Sequence, residues 1–319
     1  MDLSQVTLAQ MRYAVAIADA ESFRVAAERC HVSQSGLSMQ LQKLEDLLGA
    51  VLFDRSKKPV MLTPEGVAAV AQMRTILRET ERLGQILAEE SEPSGRFRLG
   101  VIPTLASTVL PLFLKRFVDS YPAVELLIEE LKTSEIIARL HADTLDAGLV
   151  STPLAEAGLH EVLLAHEPLF AYLPAGDPLL AKKTVPQSAL QQRELWVMPE
   201  GHCFRTQVLA FCGADWQKEP ARARFESGSF ETLIRLVDAG MGATILPALV
   251  VLGLDARKRD TQVRPLAGAT PVREIGLITA RTELRRRVVD ALVGVLREEL
   301  EGALGKSPRR AQVLEPRAS

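Results

Sequence analysis

Hydrophobic and polar residues follow different patterns in the two parts of the chain. As far as about Leu48, apolar residues recur at helical spacing with short polar breaks, and this periodicity predicts an all-helical region. After residue 96, strand-like runs (FRLGVIPT, VELLIEEL, DAGLVS, LWVMPEG and RARFES) alternate with helical runs (SEIIARLHA and SFETLIRLVDAG). That alternation is typical of an α/β fold. The polar stretch between the two patterns, residues 89–96, is the expected linker.

A short irregular segment and a long helix are predicted ahead of that linker. The segment LFDRSKKPVMLTPEG, with Pro59 and a basic cluster, breaks the helical periodicity and favours a short β-ribbon. Thr63 is suited to cap the following helix, with Pro64 at its first position. That helix extends to about Ala88 and carries a narrow apolar stripe of Val70, Met73, Leu77 and Leu87. Such a stripe indicates dimerisation, and the alternative is a helix that packs on its own domain.

The window from Ser22 to Glu45 fits two short helices joined by a tight turn. The first helix has an apolar face that includes Ala26 and Ala27, small residues where a second helix must cross closely. Ser33 is placed to cap the second helix, whose core stripe is Leu37, Leu41 and Leu44.

The polar face of this second helix is a candidate DNA-reading surface. Short hydroxyl and amide side chains suit base edges in the major groove, while basic side chains hold phosphates. The candidates are Ser33, Gln34, Ser35, Ser38, Gln42 and Lys43 on the helix and Arg55, Lys57 and Lys58 in the ribbon. From the pattern alone, a generic helix pair followed by a solvated basic turn is the competing interpretation.

Composition and charge narrow the class of protein without indicating a partner. The 319 residues allow two or three domains, and 47% hydrophobic with 24% charged residues is ordinary for a globular cytosolic protein. The net charge of −2 does not indicate nucleic acid binding, so that case is local. The chain lacks a membrane-spanning apolar run and an N-terminal secretory signal, and we expect a cytoplasmic protein with no membrane partner, cofactor or metal ion. Three cysteines exclude a disulfide scaffold.

Two of the cysteines lie in the window MPEGHCFRTQVLAFCGAD. Cys203 follows a glycine and opens a helical run, so its sulfur is expected near a helix N-terminus, where the helix dipole stabilises a thiolate. His202 and Arg205 would add positive charge. An intervening helix would hold Cys203 and Cys212 about 13 Å apart along its axis, beyond the roughly 7 Å that a disulfide allows. Oxidation to a disulfide would therefore require this segment to refold.

Plainer roles are open for all three cysteines. A cysteine on an amphipathic helix is more often a small buried hydrophobic residue than a reactive thiol. Cys30 lies on the first helix of the predicted pair and faces its core by periodicity, so we expect it to be inert packing.

The first 66 residues resemble the winged helix-turn-helix of LysR-type transcriptional regulators. The matching features, in register, are an alanine pair, a V-S-Q turn, L-S-x-Q, L-E-x-L-L-G, L-F-D-R and L-T-P-E-G. Ser35 stands where the family often has proline, a difference that should leave the fold intact. The rest of the chain resembles the family's effector domain, two α/β lobes like those of periplasmic binding proteins. The resemblance implies a regulator and no enzyme, a homotetramer built as a dimer of dimers, and double-stranded DNA and RNA polymerase as partners.

The same resemblance implies a division of the chain into four parts. The last part, after the final helical pattern, is expected to be disordered. The expected parts are a winged helix-turn-helix domain at 1–64, a linker and dimerisation helix at 65–95, a regulatory domain at 96–304 (lobe I about 96–166 and 282–304, lobe II about 167–281), and a tail at 305–319.

A second resemblance covers the cysteine window. The pattern G-H-C-x-R-x-Q-x-x-x-F-C is similar to the signature of the OxyR subfamily, the peroxide-sensing branch of LysR-type regulators, and the likeness continues through SFETLIRLVDAGMGATILPAL. It implies control of oxidative-stress genes, hydrogen peroxide as signal, Cys203 as the peroxidatic thiol and Cys212 as the resolving thiol. The implied peroxide site consists of Thr104, Thr133, His202 and Arg281. Thr206 stands where the subfamily commonly has aspartate, so a proton-relaying carboxylate would be missing.

Two other functions are open from the residues. One is a LysR-type regulator gated by a small organic effector between the lobes, with incidental cysteines. The other is a thiol peroxidase, which would have no need of DNA-binding helices. A Cys203→Ser variant separates a sensor from an effector-gated regulator, because only the sensor loses its response to peroxide.

Overall fold

The computed structural model describes residues 3–87, 92–213, 229–280 and 285–316 of the chain. The chain splits into two units, Met1–Ser91 and Glu92–Ser319. The first unit is helical apart from a two-stranded ribbon, and the second combines a mixed sheet with helices, so the predicted fold class is confirmed. Among the described residues, no helix is both long and apolar enough to cross a lipid bilayer.

Three helices open the first unit, and a side-chain hydrogen bond caps the start of each one. The helices are α1 at Leu8–Ala20, α2 at Phe23–Arg29 and α3 at Gln34–Leu48. The Ser22 hydroxyl accepts a hydrogen bond from the backbone of Val25, and the Ser33 hydroxyl accepts one from Gly36. Each bond satisfies a backbone N–H that has no partner inside the helix. The predicted pair of short helices, α2 and α3, is confirmed.

The core of this unit lies where the helices cross. Ala26 of α2 is fully buried, as are Leu37, Leu41 and Leu44 of α3. The small alanine lets α2 approach α3 closely, while each buried leucine contributes about 1.5–3 kcal/mol. This packing fixes which face of α3 is turned outward.

The ribbon and the long helix follow α3. The strands β1 (Phe53–Asp54) and β2 (Met61–Leu62) pair antiparallel, and α4 spans Pro64–Leu87. The Thr63 hydroxyl accepts a hydrogen bond from the backbone of Gly66 at 2.9 Å, which confirms the predicted cap. Position 66 has to be glycine, because a Cβ there would lie 2.0 Å from the carbonyl oxygen of Leu52.

The apolar stripe on α4 does not form one continuous outward seam. Val70 and Met73 are buried, with 2% and 4% of their surface exposed, and both pack in the core of the helical unit. The prediction that the stripe contacts a partner is therefore wrong for Val70 and Met73, because these two side chains fill the core of the helical unit itself. Leu77 is partly buried, and the side chain of Leu87 lies outside the described part of the structure.

The second unit alternates strands and helices. In chain order its elements are β3 (Gly95–Val101), α5 (Pro103–Ser120), β4 (Val124–Glu130), α6 (Thr133–His141), β5 (Ala147–Thr152), β6 (His160–Tyr172), α7 (Gln187–Leu190), β7 (Leu195–Trp196), α8 (Cys203–Cys212), α9 (Phe230–Asp238), β8 (Ala243–Pro247), α10 (Ala248–Leu252), α11 (Ala256–Gln262), β9 (Val263–Pro265), β10 (Thr270–Thr279), α12 (Arg286–Leu304) and β11 (Ala311–Val313). The strand predicted over RARFES, residues 222–227, lies outside the described residues.

One sheet runs through two lobes. Its order is β4-β3-β5-β10-β6-β8-β7, with β9 paired to β6 and β11 paired to β10. In lobe I, β3 pairs parallel with β4 and β5, and α5 and α12 bury apolar faces in the same core. In lobe II, β8 pairs with β6 and β7, and α8 and α9 contribute to a second core.

Two antiparallel strands, β6 and β10, carry the chain between the lobes. Along β6, Leu164 packs against the lobe I core, whereas Leu169 belongs to the lobe II core. Along β10, Ile275 and Leu277 already lie in the lobe I core. The return to lobe I thus takes place within β10, earlier than the expected boundary near residue 282.

The C-terminal tail is ordered as far as residue 316, and the prediction of disorder is wrong there. Residues Ala311–Val313 form β11, which pairs parallel with the start of β10. Leu314 is 4% exposed and packs in the lobe II core. An apolar anchor and a free edge of β10 order this segment, although its own sequence has no strong periodicity.

Candidate thiol site and nucleic-acid interface

One helix, α8, carries two cysteines at its opposite ends. Cys203 is its first residue, after His202 as N-cap, and Cys212 is its last residue, before Gly213. Gly213 has a φ of 90°, which ends the helix. Both thiols are free. At 1.5 Å per residue the helix holds them about 13 Å apart along its axis, so the predicted separation is confirmed.

Cys203 lies where the two lobes meet. Its side chain packs against the lobe I core, while the next residue, Phe204, belongs to the lobe II core. Burial raises the pKa of the Cys203 thiol, and this outweighs four opposing contributions. These come from the Arg273 guanidinium, the Thr133 hydroxyl, and the backbone N–H groups of Phe204 and Cys203. The helix N-terminus therefore favours the thiolate as expected, but the net pKa is raised because the sulfur is withdrawn from water.

A buried polar network reaches this thiol from β10. Arg273 is fully buried, and its Nε lies 2.6 Å from Oε2 of Glu167, which is also fully buried. Its two terminal nitrogens donate to the hydroxyl and the carbonyl of Thr104, each at 3.2 Å. The guanidinium also lies 5.3 Å from the ring centroid of Phe204. Glu167 Oε1 accepts the backbone N–H of Leu249 at 2.8 Å, so both carboxylate oxygens are occupied.

The structure brings both predicted threonines to the Cys203 site and adds an arginine that was not predicted. Thr104 lies at the start of α5 and Thr133 at the start of α6, both linked to Cys203, the first through Arg273 and the second directly. Arg281 lies outside the described residues. Sequence reasoning missed Arg273, although a single arginine inside the apolar run TPVREIGLIT is a signal of a buried, paired charge.

His202 caps α8 without a side-chain hydrogen bond to the helix and is partly buried. Burial lowers its pKa, Lys132 lowers it further, and Glu130 acts in the opposite direction. The Lys132 side chain lies against Gly201 beside it. The lowered pKa makes His202 less ready to carry a positive charge than an exposed histidine. Arg205 donates a hydrogen bond to the carbonyl of Met198.

Cys212 and Cys30 lie in apolar surroundings. Cys212 is fully buried in the lobe II core, and burial raises the pKa of its thiol to about 11. Gln191, which directly follows α7, donates a hydrogen bond to the Cys212 carbonyl. Cys30, at the end of α2, packs against the core of the helical unit, and burial raises its pKa as well. The prediction that Cys30 is a packing residue is confirmed.

The outward face of α3 carries the predicted DNA-reading residues. Gln34, Ser35, Gln42 and Lys43 are exposed, and Ser38 is partly exposed. Ser33 is exposed, and its hydroxyl is also engaged with the backbone of Gly36 and with the Ser35 hydroxyl at 3.3 Å. Gln42 donates to Asp46 at 3.0 Å. The face is thus polar and open to solvent.

The basic residues of the ribbon differ from one another. Arg55 lies 2.7 Å from Glu45, a buried carboxylate that also accepts the backbone N–H of Leu52, and its guanidinium lies over the Phe23 ring. Arg55 therefore fastens the ribbon to α3. Lys57 and Lys58 are exposed, and Lys57 lies 3.9 Å from Asp54. These two lysines are the ribbon's available cations for phosphate contact.

The described residues offer no cluster of three His, Cys, Asp or Glu side chains that could hold a metal ion.

Two family models match the chain. Residues 8–67 match the bacterial regulatory helix-turn-helix protein of the lysR family, and residues 90–301 match the LysR substrate binding domain.

Curated relatives extend the similarity to nearly the whole chain. The DNA-binding transcriptional dual regulator OxyR of Escherichia coli K12 is 33% identical over 311 residues, 96% of this chain and 100% of the relative. A probable hydrogen peroxide-inducible genes activator of Mycobacterium avium is 33% identical over 296 residues, 92% of this chain and 94% of the relative.

Solved structures show the same relationship. Full-length OxyR of Pseudomonas aeruginosa with a cysteine-to-aspartate substitution has a TM-score of 0.80 at 31% identity, covering 95% of this chain and 99% of that one. A hydrogen peroxide-bound cysteine mutant of Corynebacterium glutamicum OxyR has a TM-score of 0.61 at 26% identity, covering 95% of both chains.

Proposed function

The chain belongs to the OxyR group of the LysR family of transcriptional regulators, and from this premise we propose that it binds DNA and senses hydrogen peroxide through Cys203 and Cys212. One observation supports this proposal above the others. A single helix presents one thiol to a polar network between the lobes and holds the other in an apolar core, too far away to bond. Oxidation of the pair then forces a change of backbone shape, which is what a switch requires.

The reaction consumes one peroxide and yields two waters. The Cys203 thiolate attacks one peroxide oxygen, so an S–O bond forms, the O–O bond breaks, and the departing hydroxide takes up a proton to leave as water. The Cys212 thiol then loses its proton and attacks the Cys203 sulfur. The S–S bond forms as the S–O bond breaks, and the second oxygen leaves as water.

The surrounding residues have separate roles in this proposal. Arg273 and the Thr133 hydroxyl stabilise the Cys203 thiolate, while Thr104 and Thr133 offer hydroxyls to the bound peroxide. We assign to Arg273 the charge-stabilising role that the family resemblance suggested for Arg281. His202, the N-cap residue directly before Cys203, is available to form a hydrogen bond beside the thiol.

The DNA-binding unit contacts its operator through α3 and the ribbon. The exposed polar residues of α3 read base edges, and Lys57 and Lys58 hold phosphates. The protein acts as a tetramer made of two dimers, engages RNA polymerase at its promoters, and works in the cytoplasm, where its DNA lies. Each oxidation of the thiol pair yields one disulfide, and a separate reductant is needed to return it to two thiols.

Mass spectrometry of the full-length protein treated with peroxide tests the proposal. We expect a peptide that joins Cys203 to Cys212, its absence in Cys203→Ser, and a sulfenic acid at Cys203 in Cys212→Ser. Genomic footprinting on the same variants should show a peroxide-dependent change in wild type that Cys203→Ser lacks. A footprint that responds to peroxide in Cys203→Ser, or that never responds in wild type, would instead favour a regulator gated by an organic effector.

A further inference from the structure

We propose that the C-terminal segment is a working part of the redox switch: residues 311–314 form a clasp that holds α8 in its reduced, helical shape through Gln207. This inference rests on the proposed function, and it concerns a segment whose sequence indicated no role. We call β11 together with Leu314 the clasp.

The clasp is bound along the strand that joins the lobes. β11 pairs with residues 270–272 of β10, and the pairing is bounded on both sides by backbone hydrogen bonds. Thr270 N–H donates to the carbonyl of Arg310 at 2.8 Å, and Leu314 N–H donates to the carbonyl of Val272 at 2.9 Å. The Leu314 side chain is buried in the lobe II core. The tail is thus held by a strand ladder and an apolar anchor.

Gln207 connects the clasp to the redox helix. It lies one turn after Cys203 on α8 and is fully buried. Its amide nitrogen donates to the carbonyl of Leu314 at 2.6 Å and to the hydroxyl of Ser151 at 3.0 Å. The Ser151 hydroxyl in turn donates to the carbonyl of Glu274 on β10. One amide group therefore links α8, the tail, β5 and, through Ser151, β10.

This link is incompatible with a bonded cysteine pair. Gln207 lies between Cys203 and Cys212, so bringing their Cα atoms within about 7 Å must displace it from its helical position. The Leu314 carbonyl and the Ser151 hydroxyl then lose a buried partner, which is costly away from water. Because the clasp bonds to Gln207 only while α8 is helical, the free energy by which it stabilises the reduced protein disfavours the disulfide form by the same amount.

Hydrogen–deuterium exchange on the intact protein gives the first test. Reduced and peroxide-oxidised samples are compared by mass spectrometry, following the peptide that contains 311–314 and a control peptide from α12, which carries none of the residues assigned to the thiol site. We expect faster exchange in the clasp on oxidation and no change in α12. If the disulfide forms while exchange in the clasp is unchanged, the clasp proposal is wrong. If no disulfide forms, the proposed function fails and the clasp with it.

The second test measures the reduction potential in glutathione buffers. A chain ending at Arg310 and the milder Leu314→Ala variant are compared with a control chain ending at Pro316, which keeps the clasp, and with Leu314→Met. Loss of the clasp should shift the thiol–disulfide equilibrium about tenfold toward the disulfide, a potential about 30 mV more negative for a two-electron couple.

The rate at which Cys203 alone reacts with peroxide, measured in a Cys212→Ser background, should stay within about twofold in these variants, because the clasp acts on the helix and not on the nucleophile. A purely structural tail would lower the stability of both redox forms equally and leave the potential unmoved. An unchanged potential in the Arg310-terminated chain and in Leu314→Ala overturns the proposal.

Discussion

The two ends of α8 carry the same side chain in opposite surroundings. At the first end, Cys203 meets a guanidinium, a hydroxyl and free helix N–H groups, all of which favour the thiolate against the effect of burial. At the other end, burial is the cause that acts on Cys212, and the pKa of its thiol reaches about 11. Burial raises the pKa of both thiols, but only Cys203 has neighbouring groups that oppose the effect of burial and stabilise its thiolate.

The two ends also differ in how they are attached to the protein. Cys203 is tied to a charged network whose members lie on α5, α6, β6 and β10. Cys212 is held by apolar packing and by the hydrogen bond from Gln191 to its carbonyl. A network of directed bonds fixes the nucleophile in place, while apolar packing can release the resolving thiol once the backbone moves.

Removing the charge at the Cys203 end should have the largest effect. Arg273→Met leaves Glu167 buried without its cation, and we expect a loss of about 3–5 kcal/mol in the free energy of unfolding. The pKa of Cys203 should rise further, because the guanidinium that opposes burial is gone. Urea unfolding followed by tryptophan fluorescence, together with thiol titration, measures both changes.

Two further variants isolate the charge from the packing. Adding Glu167→Gln to Arg273→Met should recover much of the stability, since no buried carboxylate is left unpaired, but not the pKa of Cys203. Arg235→Met breaks an exposed ion pair with Glu231 and should cost less than about 1 kcal/mol. If Arg273→Met lowered the free energy of unfolding as little as Arg235→Met does, the buried charge network would not explain the difference between the two ends of α8.

At the Cys212 end, the expected signature is a loss of stability at alkaline pH. The folded protein holds this proton more tightly than the unfolded chain, because the folded pKa is about 11 and the ordinary value is 9.0. The contribution is complete below pH 9 and is lost as pH rises through 11, and its size is on the order of 2 kcal/mol. Urea unfolding from pH 8 to 11 should therefore show a shallower decline in Cys212→Ala than in wild type.

Cys30→Ala serves as the control for that experiment, because Cys30 is only partly buried and lies in the helical unit. Its effect on the alkaline decline should be much smaller. Equal slopes for wild type and Cys212→Ala would mean that burial does not raise the pKa of Cys212.

The smallest expected change comes from the hydroxyl at the Cys203 end. Thr133→Val removes the hydrogen bond to the thiolate and raises the pKa of Cys203, so peroxide oxidation at neutral pH should slow about tenfold. The pH–rate profile should shift to more alkaline pH, and Thr133→Ser should restore it. A rate lowered equally at every pH would mean that Thr133 acts on the peroxide and not on the pKa.

The local elements of the first unit could be predicted because their signals are local. Ser33 caps α3, Thr63 caps α4, and the leucines of α3 repeat at helical spacing, all within a few residues of the structure they specify. The separation of Cys203 from Cys212 follows in the same way, since it depends on one helix between them. The stripe on α4 was harder to interpret, because spacing shows that Val70 and Met73 share a face but not what covers it.

Sequence by itself determined the helices, the ribbon, the α/β order and the two thiols held apart on one helix. Tertiary structure alone decided that Arg273 reaches Cys203, that β10 carries the return to lobe I, and that Leu314 orders the tail. The physical reason is how far apart the interacting residues lie along the chain. Caps and periodicity act over one or two turns of a helix. By contrast, Glu167 lies 106 residues from Arg273 along the chain, and Leu314 lies 107 residues from Gln207. Folding alone brings such groups into contact, and their desolvation then fixes which pairs must form.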